Sequence, residues 1–143
     1  MLTVNDMMTA IPFTVATDTT LRHVIEIMKG EGCRQLPVLE NGRLVGIVTD
    51  RDVRLAMSSP MVVHDQWFDQ EMLDRITAGD CMTTSPLTVS PDMPAYQAAH
   101  MLSLYKFGAL PVLDEGTLVG IISVSDFLDY FAERHGKAIV DGI

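Results

Sequence analysis

The sequence predicts an α+β protein made of two pseudo-symmetric repeats, each with the element order β-α-β-β-α. The stretch LPVLENGRLVGIVTDRD, which begins at Leu36, returns at Leu110 as LPVLDEGTLVGIISVSD, and the same offset aligns Met8-Thr9 with Met82-Thr83. Helical spacing and short β-rich runs also follow one another in the same order in both copies. Because a unit of about 55 residues buries little of its own surface, we expect the repeats to share one core.

In the first repeat, the short run FTV predicts a strand and Asp18 is a candidate N-cap for the helix that follows it. The apolar side chains of that helix recur at helical spacing: Leu21, Val24, Ile25 and Met28. QLPVL and RLVGIV predict two strands joined by a tight turn at Asn41-Gly42, since both residues tolerate positive φ. TDRDVRLAM then returns to helical character.

The second repeat gives the same order. LTV predicts the strand, a helix follows Asp92, the hairpin turns at Glu115-Gly116, and SDFLDYF predicts the last helix. The first helix of this repeat presents small side chains on one face: Ala95, Ala98, Ala99 and Leu102. This difference predicts that the two halves pack in non-equivalent ways.

We therefore expect a first repeat over 1–57, a connecting segment over 58–75, a second repeat over 76–132 and a C-terminal tail over 133–143. The connecting segment has the spacing of a short helix, with a Glu71/Arg75 pair across one turn and Trp67 as its anchor. The tail is expected to fray after Gly136.

Composition limits the partners. The 143 residues are 48% hydrophobic, which indicates a well-filled globular protein, and the formal charge of −9 disfavours binding to nucleic acid because phosphates are held chiefly by Lys and Arg. No apolar run approaches the roughly 20 residues of a membrane span, and the N-terminus lacks a basic, apolar leader. We expect a cytoplasmic protein with no membrane partner.

Catalytic and metal-binding patterns are missing from the sequence. The four histidines and the two cysteines, Cys33 and Cys81, have no metal-ligand spacing, and no serine lies in a GxSxG motif. The acids Asp50 and Asp52 are two apart at a helix start, where acids commonly interact with the helix dipole. We expect no enzyme activity, no metal and no catalytic cofactor.

A strand glycine precedes the candidate chemistry in both repeats. Gly46 and Gly120 each stand inside a predicted strand, which suggests that another group approaches the backbone closely. After each strand come a hydroxyl and a carboxylate three residues apart, Thr49/Asp52 and Ser123/Asp126. At a helix start these groups can bind a phosphate and the hydroxyls of a ribose. The same pattern is close to a capping box, in which both side chains satisfy backbone donors and bind no ligand.

The set of motifs "MT…P.TV…D" and "LPV…G.LVGI.[TS]..D", present twice, resembles a tandem pair of CBS domains, a Bateman module. The layout with a helical insert is similar to small stand-alone bacterial CBS-domain proteins of the acetoin-utilisation type. The resemblance implies a regulatory module that binds an adenosine-containing ligand, such as AMP, ADP, ATP or S-adenosylmethionine, in clefts between the repeats. It also implies a homodimer and an effector protein as partner.

The resemblance also implies two sets of binding residues. The first set is Ile47, Thr49, Arg51, Asp52, Met82, Ser85, Leu87, Phe107 and Gly108. The second set is Met8, Ile11, Phe13, Cys33, Arg34, Ile121, Ser123, Ser125 and Asp126.

Arg51 and Arg34 have no basic counterpart in the other repeat, where Ser125 and Gly108 stand. Our hypothesis is that both arginines meet phosphates, since the guanidinium fork suits bidentate contact; the alternative is two solvated side chains. The helix DFLDYF is apolar nearly all round, which indicates a second, intermolecular face and supports a homodimer.

Three functions remain open at this stage. The first is an adenine-nucleotide sensor that conveys a conformational change to a partner. The second is a structural or dimerisation module whose nucleotide sites are vestigial. The third is a redox-responsive regulator that uses Cys33.

Overall fold

A computed structural model of the chain describes the backbone of residues 1–57 and 66–141 and the side chains of residues 1–57 and 70–134. The elements in chain order are α1 (Val4–Met7), β1 (Thr9–Ala10), β2 (Val15–Ala16), α2 (Leu21–Glu31), β3 (Gln35–Glu40), β4 (Arg43–Thr49), α3 (Asp50–Met57), α4 (Gln66–Arg75), α5 (Ala78–Cys81), β5 (Thr83–Thr84), α6 (Ala95–Tyr105), β6 (Ala109–Asp114), β7 (Thr117–Ser123) and α7 (Val124–Asp141).

The predicted order β-α-β-β-α is confirmed in both repeats. In the first repeat it is β2-α2-β3-β4-α3. In the second, the run LTV makes one parallel bridge, Val89 with Val112, and α6-β6-β7-α7 follow it. Each repeat also begins with a one-turn helix and a two-residue strand, α1-β1 and α5-β5, which the sequence patterns did not predict.

The hairpin turns are confirmed by the backbone. Asn41 and Gly42 have φ values of 52° and 77°, and Glu115 and Gly116 have 49° and 85°. Two successive residues with positive φ match the right-handed twist of the strands on either side.

The helix start predicted at Asp18 is wrong. Helix α2 begins at Leu21, and the Thr20 hydroxyl caps it by accepting a hydrogen bond of 3.2 Å from the His23 N–H. Asp18 lies two residues earlier, in a turn. Thr20 holds the cap because its extended backbone (φ −68°, ψ 151°) points the hydroxyl at the free donors of the first turn.

The chain forms two compact units. Unit 1 consists of Met1–Pro12 and Leu87–Ile143, and unit 2 of Phe13–Pro86. The sheet of unit 1 has the strand order β1-β7-β6, and that of unit 2 has the order β2-β3-β4-β5. Each unit therefore joins the opening residues of one repeat to the body of the other.

The expectation of one shared core is wrong, because each unit has an apolar cluster of its own. The buried residues of the unit 1 cluster are Val4, Val89, Ala98, Leu102, Leu110, Val112 and Ile122. Those of the unit 2 cluster are Val15, Leu21, Val24, Leu36, Val38, Val48, Val53, Leu73 and Ala78. Both repeats contribute residues to each of the two cores. Helix α6 buries Ala95 and Ala98, which belong to its predicted small-residue face.

Matched hydrogen bonds attach the one-turn helices. The Val4 N–H donates to the Met93 carbonyl in unit 1, and the Ala78 N–H donates to the Thr19 carbonyl in unit 2, both at 2.8 Å. Val4 and Ala78 are fully buried. The two helices thus close the cores of their units in the same way.

The predicted connecting helix is present as α4, and the Glu71/Arg75 pair is formed at 2.5 Å. Residues 58–65 and the side chain of Trp67 lie outside the described residues. Leu73 of α4 packs in the unit 2 core, and Arg22 of α2 holds α4 through a fork to Asp74 at 2.7 and 3.3 Å.

The tail does not fray after Gly136 as expected, since α7 continues to Asp141. A glycine inside a helix costs only about 1 kcal/mol relative to alanine, and the lysine and alanine that follow favour the helix. None of the described helices is both long and apolar enough to cross a membrane.

Candidate functional site

The unit 2 corner (Thr49–Asp52) lies where β4 ends and α3 begins. The N–H and hydroxyl of Thr49 donate to Oδ2 of Asp52 at 2.9 and 3.0 Å, and the Asp52 N–H donates back to the Thr49 hydroxyl at 3.2 Å. These reciprocal bonds form a capping box at a half-buried position. The first of the two predicted motifs therefore orders a strand-to-helix corner.

The unit 1 corner (Ser123–Asp126) has the same geometry between β7 and α7. The N–H and hydroxyl of Ser123 donate to Oδ2 of Asp126 at 2.8 and 3.1 Å, and the Asp126 N–H donates to the serine hydroxyl at 3.2 Å. Both corners thus have the hydrogen bonds of a capping box, as the T/S-x-x-D spacing allowed. In each case one carboxylate oxygen serves the cap and the other, Oδ1, does not.

Two further capping boxes were missed in the sequence. Thr3 donates from its N–H and hydroxyl to Asp6 at 2.9 and 3.0 Å, and the Thr77 N–H donates to Asp80 at 2.9 Å. The spacing T-x-x-D would have found them. These boxes stand on one-turn helices without a preceding glycine strand, so the capping pattern is not confined to the two predicted corners.

The second carboxylate oxygen distinguishes the two corners. In unit 1, the Thr9 hydroxyl of β1 donates to Oδ1 of Asp126 at 3.2 Å. In unit 2, the matched Thr83 makes no such bond, and Oδ1 of Asp52 accepts no hydrogen bond from the residues that the structure describes. The Asp52 carboxylate therefore retains an acceptor for an incoming hydroxyl donor.

The strand glycines are explained by close backbone approach, as predicted. A Cβ on Gly46 would lie 2.9 Å from the Thr83 carbonyl oxygen, and one on Gly120 would lie 2.9 Å from the Thr9 carbonyl oxygen. The approaching groups belong to the short strands β5 and β1, together with the thioethers of Met82 and Met8. The glycines thus let the short strands β5 and β1 lie against β4 and β7.

Strand pairing brings most of each predicted set into one unit. Ile47 pairs with Thr83 in unit 2, and Ile121 pairs with Thr9 in unit 1. Unit 2 holds Ile47, Thr49, Arg51, Asp52, Met82 and Ser85 of the first set, together with Phe13, Cys33 and Arg34 of the second. Unit 1 holds Met8, Ile11, Ile121, Ser123, Ser125 and Asp126 of the second set, together with Leu87, Phe107 and Gly108 of the first.

Ile11 and Ser85 occupy matched positions and share an unusual backbone. Both lie in the left-handed region, with φ values of 51° and 48°, which is a rare conformation for a β-branched isoleucine. Their N–H groups donate to Val119 and Val45 at 3.4 and 3.2 Å, so pairing with the adjacent strand holds them there. Ile11 is 90% exposed. Strain at two matched, exposed positions is typical of binding sites.

The two arginines of the hypothesis belong to unit 2. The Asp50 N–H donates to the Arg34 carbonyl at 2.9 Å, which places the backbone of Arg34 beside the corner that carries Arg51. Arg54 instead pairs with Asp50 at 3.2 Å. Within the described part of the chain, neither Arg34 nor Arg51 makes a side-chain ion pair.

The cysteines are half-buried and free. Burial raises the pKa of the Cys33 thiol, and burial together with the nearby Asp80 and Asp52 carboxylates raises the pKa of Cys81. A raised pKa lowers the thiolate fraction that oxidation requires, which disfavours the redox function. The described residues contain no cluster of His, Cys, Asp and Glu able to hold a metal ion.

Two units built from matched β-α-β-β-α bodies, each with a capped strand-to-helix corner, define a tandem repeat protein of the CBS class. The family model described as "CBS domain" matches residues 4–59 and 78–133, and the chain belongs to the CBS-domain family. A CBS domain-containing protein of Dictyostelium discoideum is 36% identical over 128 residues, which are 88% of each chain. Inosine-5'-monophosphate dehydrogenase of Korarchaeum cryptofilum is 31% identical over 129 residues, but these cover only 24% of that enzyme.

Solved structures agree with this assignment. A Vibrio cholerae protein assigned to acetoin utilization (AcuB) has a TM-score of 0.79 and 30% identity, covering 93% of this chain and 92% of that one. CBSX2 in complex with AMP has a TM-score of 0.76 and 29% identity, covering 93% and 98%. The CBS domain pair of protein MJ0100, in complex with 5'-methylthioadenosine and S-adenosyl-L-methionine, has a TM-score of 0.76 and 25% identity, covering 92% and 97%.

Proposed function

We propose that this protein is a regulatory, non-catalytic sensor of an adenosine-containing ligand. The observation that carries the proposal is the unit 2 corner, where Asp52 is held by a capping box and still presents Oδ1 as an acceptor. A carboxylate oxygen fixed in this way suits the hydroxyls of a ribose, since charge-assisted hydrogen bonds are among the stronger ones. Relatives of similar fold in complex with AMP, 5'-methylthioadenosine and S-adenosyl-L-methionine support the ligand class.

The two corners are not equivalent in this proposal. Asp52 binds the ligand first, because Oδ1 of Asp126 already accepts a hydrogen bond from the Thr9 hydroxyl. Arg51 and Arg34 add positive charge beside the unit 2 corner, which favours a ligand with a phosphate, such as AMP, ADP or ATP. At the unit 1 corner the matched positions are Ser125 and Gly108, so that corner suits a ligand without a phosphate.

Arg51→Ala tests the phosphate contact. We expect this variant to bind AMP more weakly and adenosine unchanged, because only AMP carries the phosphate. Arg54→Ala serves as the control, since Arg54 is paired with Asp50. Equal losses of affinity for AMP and for adenosine would show that Arg51 does not contact the phosphate.

Ligand binding then favours one conformation of the protein and biases a homodimer or an effector protein. A ligand shifts such an equilibrium only by the difference between its affinities for the two states. Cytoplasmic location is part of the same proposal, because the adenine nucleotides that it would sense are cytoplasmic metabolites.

A structural or dimerisation module with vestigial sites is the second candidate. The observation that favours it is the occurrence of the same capping box at Thr3/Asp6 and Thr77/Asp80, outside both predicted sets. In this alternative, Asp52 and Asp126 serve only to start helices.

A thermal-shift panel separates the two functions. Ligand-free protein is heated with AMP, ADP, ATP, S-adenosylmethionine or NAD, and a ligand at 100 times its Kd adds about 2.7 kcal/mol to the free energy of unfolding. A selective rise in Tm supports the sensor. No rise with any of these compounds supports the structural module.

A further inference from the structure

Thr9 and Thr83 hold equivalent positions beside the two corners. Thr9 of β1 lies opposite Ile121 of β7, and Thr83 of β5 lies opposite Ile47 of β4, in the same antiparallel register. Both threonines are exposed. Because the strand pairing is the same, a difference between their hydroxyl groups is one of side-chain direction and not of the course of the backbone.

The two hydroxyl groups differ in their contact with the aspartate of the corner. The Thr9 hydroxyl donates to Oδ1 of Asp126 at 3.2 Å. Among the described residues, the Thr83 hydroxyl makes no such bond to Asp52. A threonine side chain has a few staggered rotamers, so Thr9 can reach the arrangement of Thr83 by rotation about one bond, without movement of β1. The bond between Thr9 and Asp126 is therefore an exposed contact that rotation alone can break.

The two carboxylates differ in the number of acceptor positions that remain. An ionised carboxylate offers about four lone pairs, two on each oxygen. Among the described residues, Thr49 takes two of them on Oδ2 of Asp52, which leaves both lone pairs of Oδ1. Ser123 takes two on Oδ2 of Asp126, and Thr9 takes a third on Oδ1, which leaves one. Asp52 can therefore accept both hydroxyls of a vicinal diol, whereas Asp126 can accept only one of them.

We propose that Thr9 is a specificity-determining residue, which lowers the affinity of the unit 1 corner for a ribose that carries both hydroxyls. The proposal rests on the proposed function and adds the residue that controls whether a second adenosine-containing ligand binds. Thr9 competes well with a ligand because β1 already holds it beside Asp126, whereas a ligand loses translational and rotational freedom on binding. Rotation of Thr9 away from Asp126 gives the unit 1 corner the same free acceptors as the unit 2 corner.

Adenosine binding to Asp52→Ala isolates the unit 1 corner, because this variant lacks the carboxylate of the other corner. Adding Thr9→Val removes the competing hydroxyl and keeps the shape of the side chain. We expect the double variant to bind adenosine about tenfold more tightly than Asp52→Ala in calorimetric titrations, because the bond that no longer competes is one to a charged group. Thr83→Val in the same background is the matched control and should leave the affinity unchanged.

Two further measurements separate this role from a general effect on folding. Thr9→Ser keeps the donor, so it should keep the adenosine affinity of the Asp52→Ala protein. 2′-Deoxyadenosine lacks one hydroxyl of the vicinal pair, so the single free lone pair of Asp126 suffices and Thr9→Val should not improve its binding. Circular dichroism confirms that all variants are folded.

An unchanged adenosine affinity after Thr9→Val, or an equal gain for adenosine and 2′-deoxyadenosine, would overturn the proposal. A gain that persists when Asp126→Ala is added would overturn it as well. Failure of the proposed function gives a different result: the parent and Asp52→Ala would then bind adenosine equally. A tenfold gain from Thr9→Val in that case would still support the role of Thr9 at the unit 1 corner.

Discussion

Asp52 combines two roles that can be separated by experiment. Its Oδ2 atom accepts two hydrogen bonds from Thr49, and its Oδ1 atom remains available in the proposed site. Asp80 in the same unit accepts the capping hydrogen bond from Thr77 but lies outside both predicted binding sets. It therefore offers a matched control for the capping role alone.

We predict that Asp52→Ala and Asp80→Ala each lower the free energy of unfolding by about 1 kcal/mol, because each removes the acceptor of a capping box. Urea denaturation followed by circular dichroism measures both. A far smaller loss for Asp52→Ala than for Asp80→Ala would mean that its cap does not stabilise α3.

Local chemistry explains which individual residues were predictable. Asn41-Gly42 was predicted because a two-residue turn needs positive φ and both residues tolerate it. Asp18 was predicted wrongly because Thr20 is also a favourable cap residue and only the backbone path decides between them. The left-handed φ of Ile11 could not be predicted, since isoleucine disfavours it and strand pairing imposes it.

At the scale of elements, the pairing of the short strands β5 and β1 with β4 and β7 depends on a glycine. We predict that Gly46→Ala destabilises the protein by about 1–3 kcal/mol, because its Cβ would meet the backbone carbonyl of Thr83 at 2.9 Å. Gly30→Ala is the control: Gly30 lies inside α2 with nothing within 4 Å of its Cβ, so alanine should stabilise the helix by about 0.5–1 kcal/mol. Thermal unfolding should therefore give a lower Tm for Gly46→Ala and a higher Tm for Gly30→Ala than for the parent protein.

The fork between α2 and α4 predicts a dependence of stability on pH. Hydrogen bonds from Arg22 hold the pKa of Asp74 below its ordinary value of 3.8. A depressed pKa contributes stability that is present above the unfolded value and is lost as pH falls through the folded value. Asp74→Asn should therefore be less stable than the parent at pH 7, and the difference should disappear as the pH falls below 3.8.

Urea midpoints of both proteins measured from pH 7 to pH 2.5 check this difference. A difference in urea midpoint that stays constant across that range would show that the Asp74 carboxylate is not the group responsible.

The connecting helix itself was predicted from spacing. Its attachment by Arg22 was not, because a contact between residues 22 and 74 leaves no local signature in the sequence.

At the scale of the whole molecule, each unit contains parts of both repeats. Val4 is fully buried in unit 1 among residues of the second repeat, and Ala78 is fully buried in unit 2 among residues of the first. The repeat was clear from the sequence. The composition of the units was not, since α1 and α5 are single turns whose place is fixed by packing and by hydrogen bonds to distant carbonyls.

We predict that Val4→Ala destabilises unit 1 by about 2 kcal/mol, from the loss of buried apolar surface. Hydrogen exchange should show reduced protection of β6 and β7, in the second repeat, with β3 and β4 of the first repeat unchanged. Reduced protection of β3 and β4 instead would mean that Val4 does not belong to the core of unit 1.

The predicted binding residues were also only partly predictable from the sequence. The six residues of each set that lie in one unit were assigned through the family pattern, and the pairing of β4 with β5 and of β7 with β1 brings the two parts of each set into one sheet. The different environments of Asp52 and Asp126 could not be predicted, because both matched positions, 9 and 83, hold a threonine. Among the described residues, Thr9 donates to Asp126, but Thr83 does not donate to Asp52.

The most direct test of the sensor function is a calorimetric titration of AMP into the ligand-free protein and into Asp52→Ala and Asp80→Ala. We predict that the parent and Asp80→Ala bind AMP with the same affinity and that Asp52→Ala loses binding, although both variants lose a capping box. Equal affinity in all three proteins, or no heat of binding in any of them, would contradict the proposal that the Asp52 corner holds an adenosine ligand.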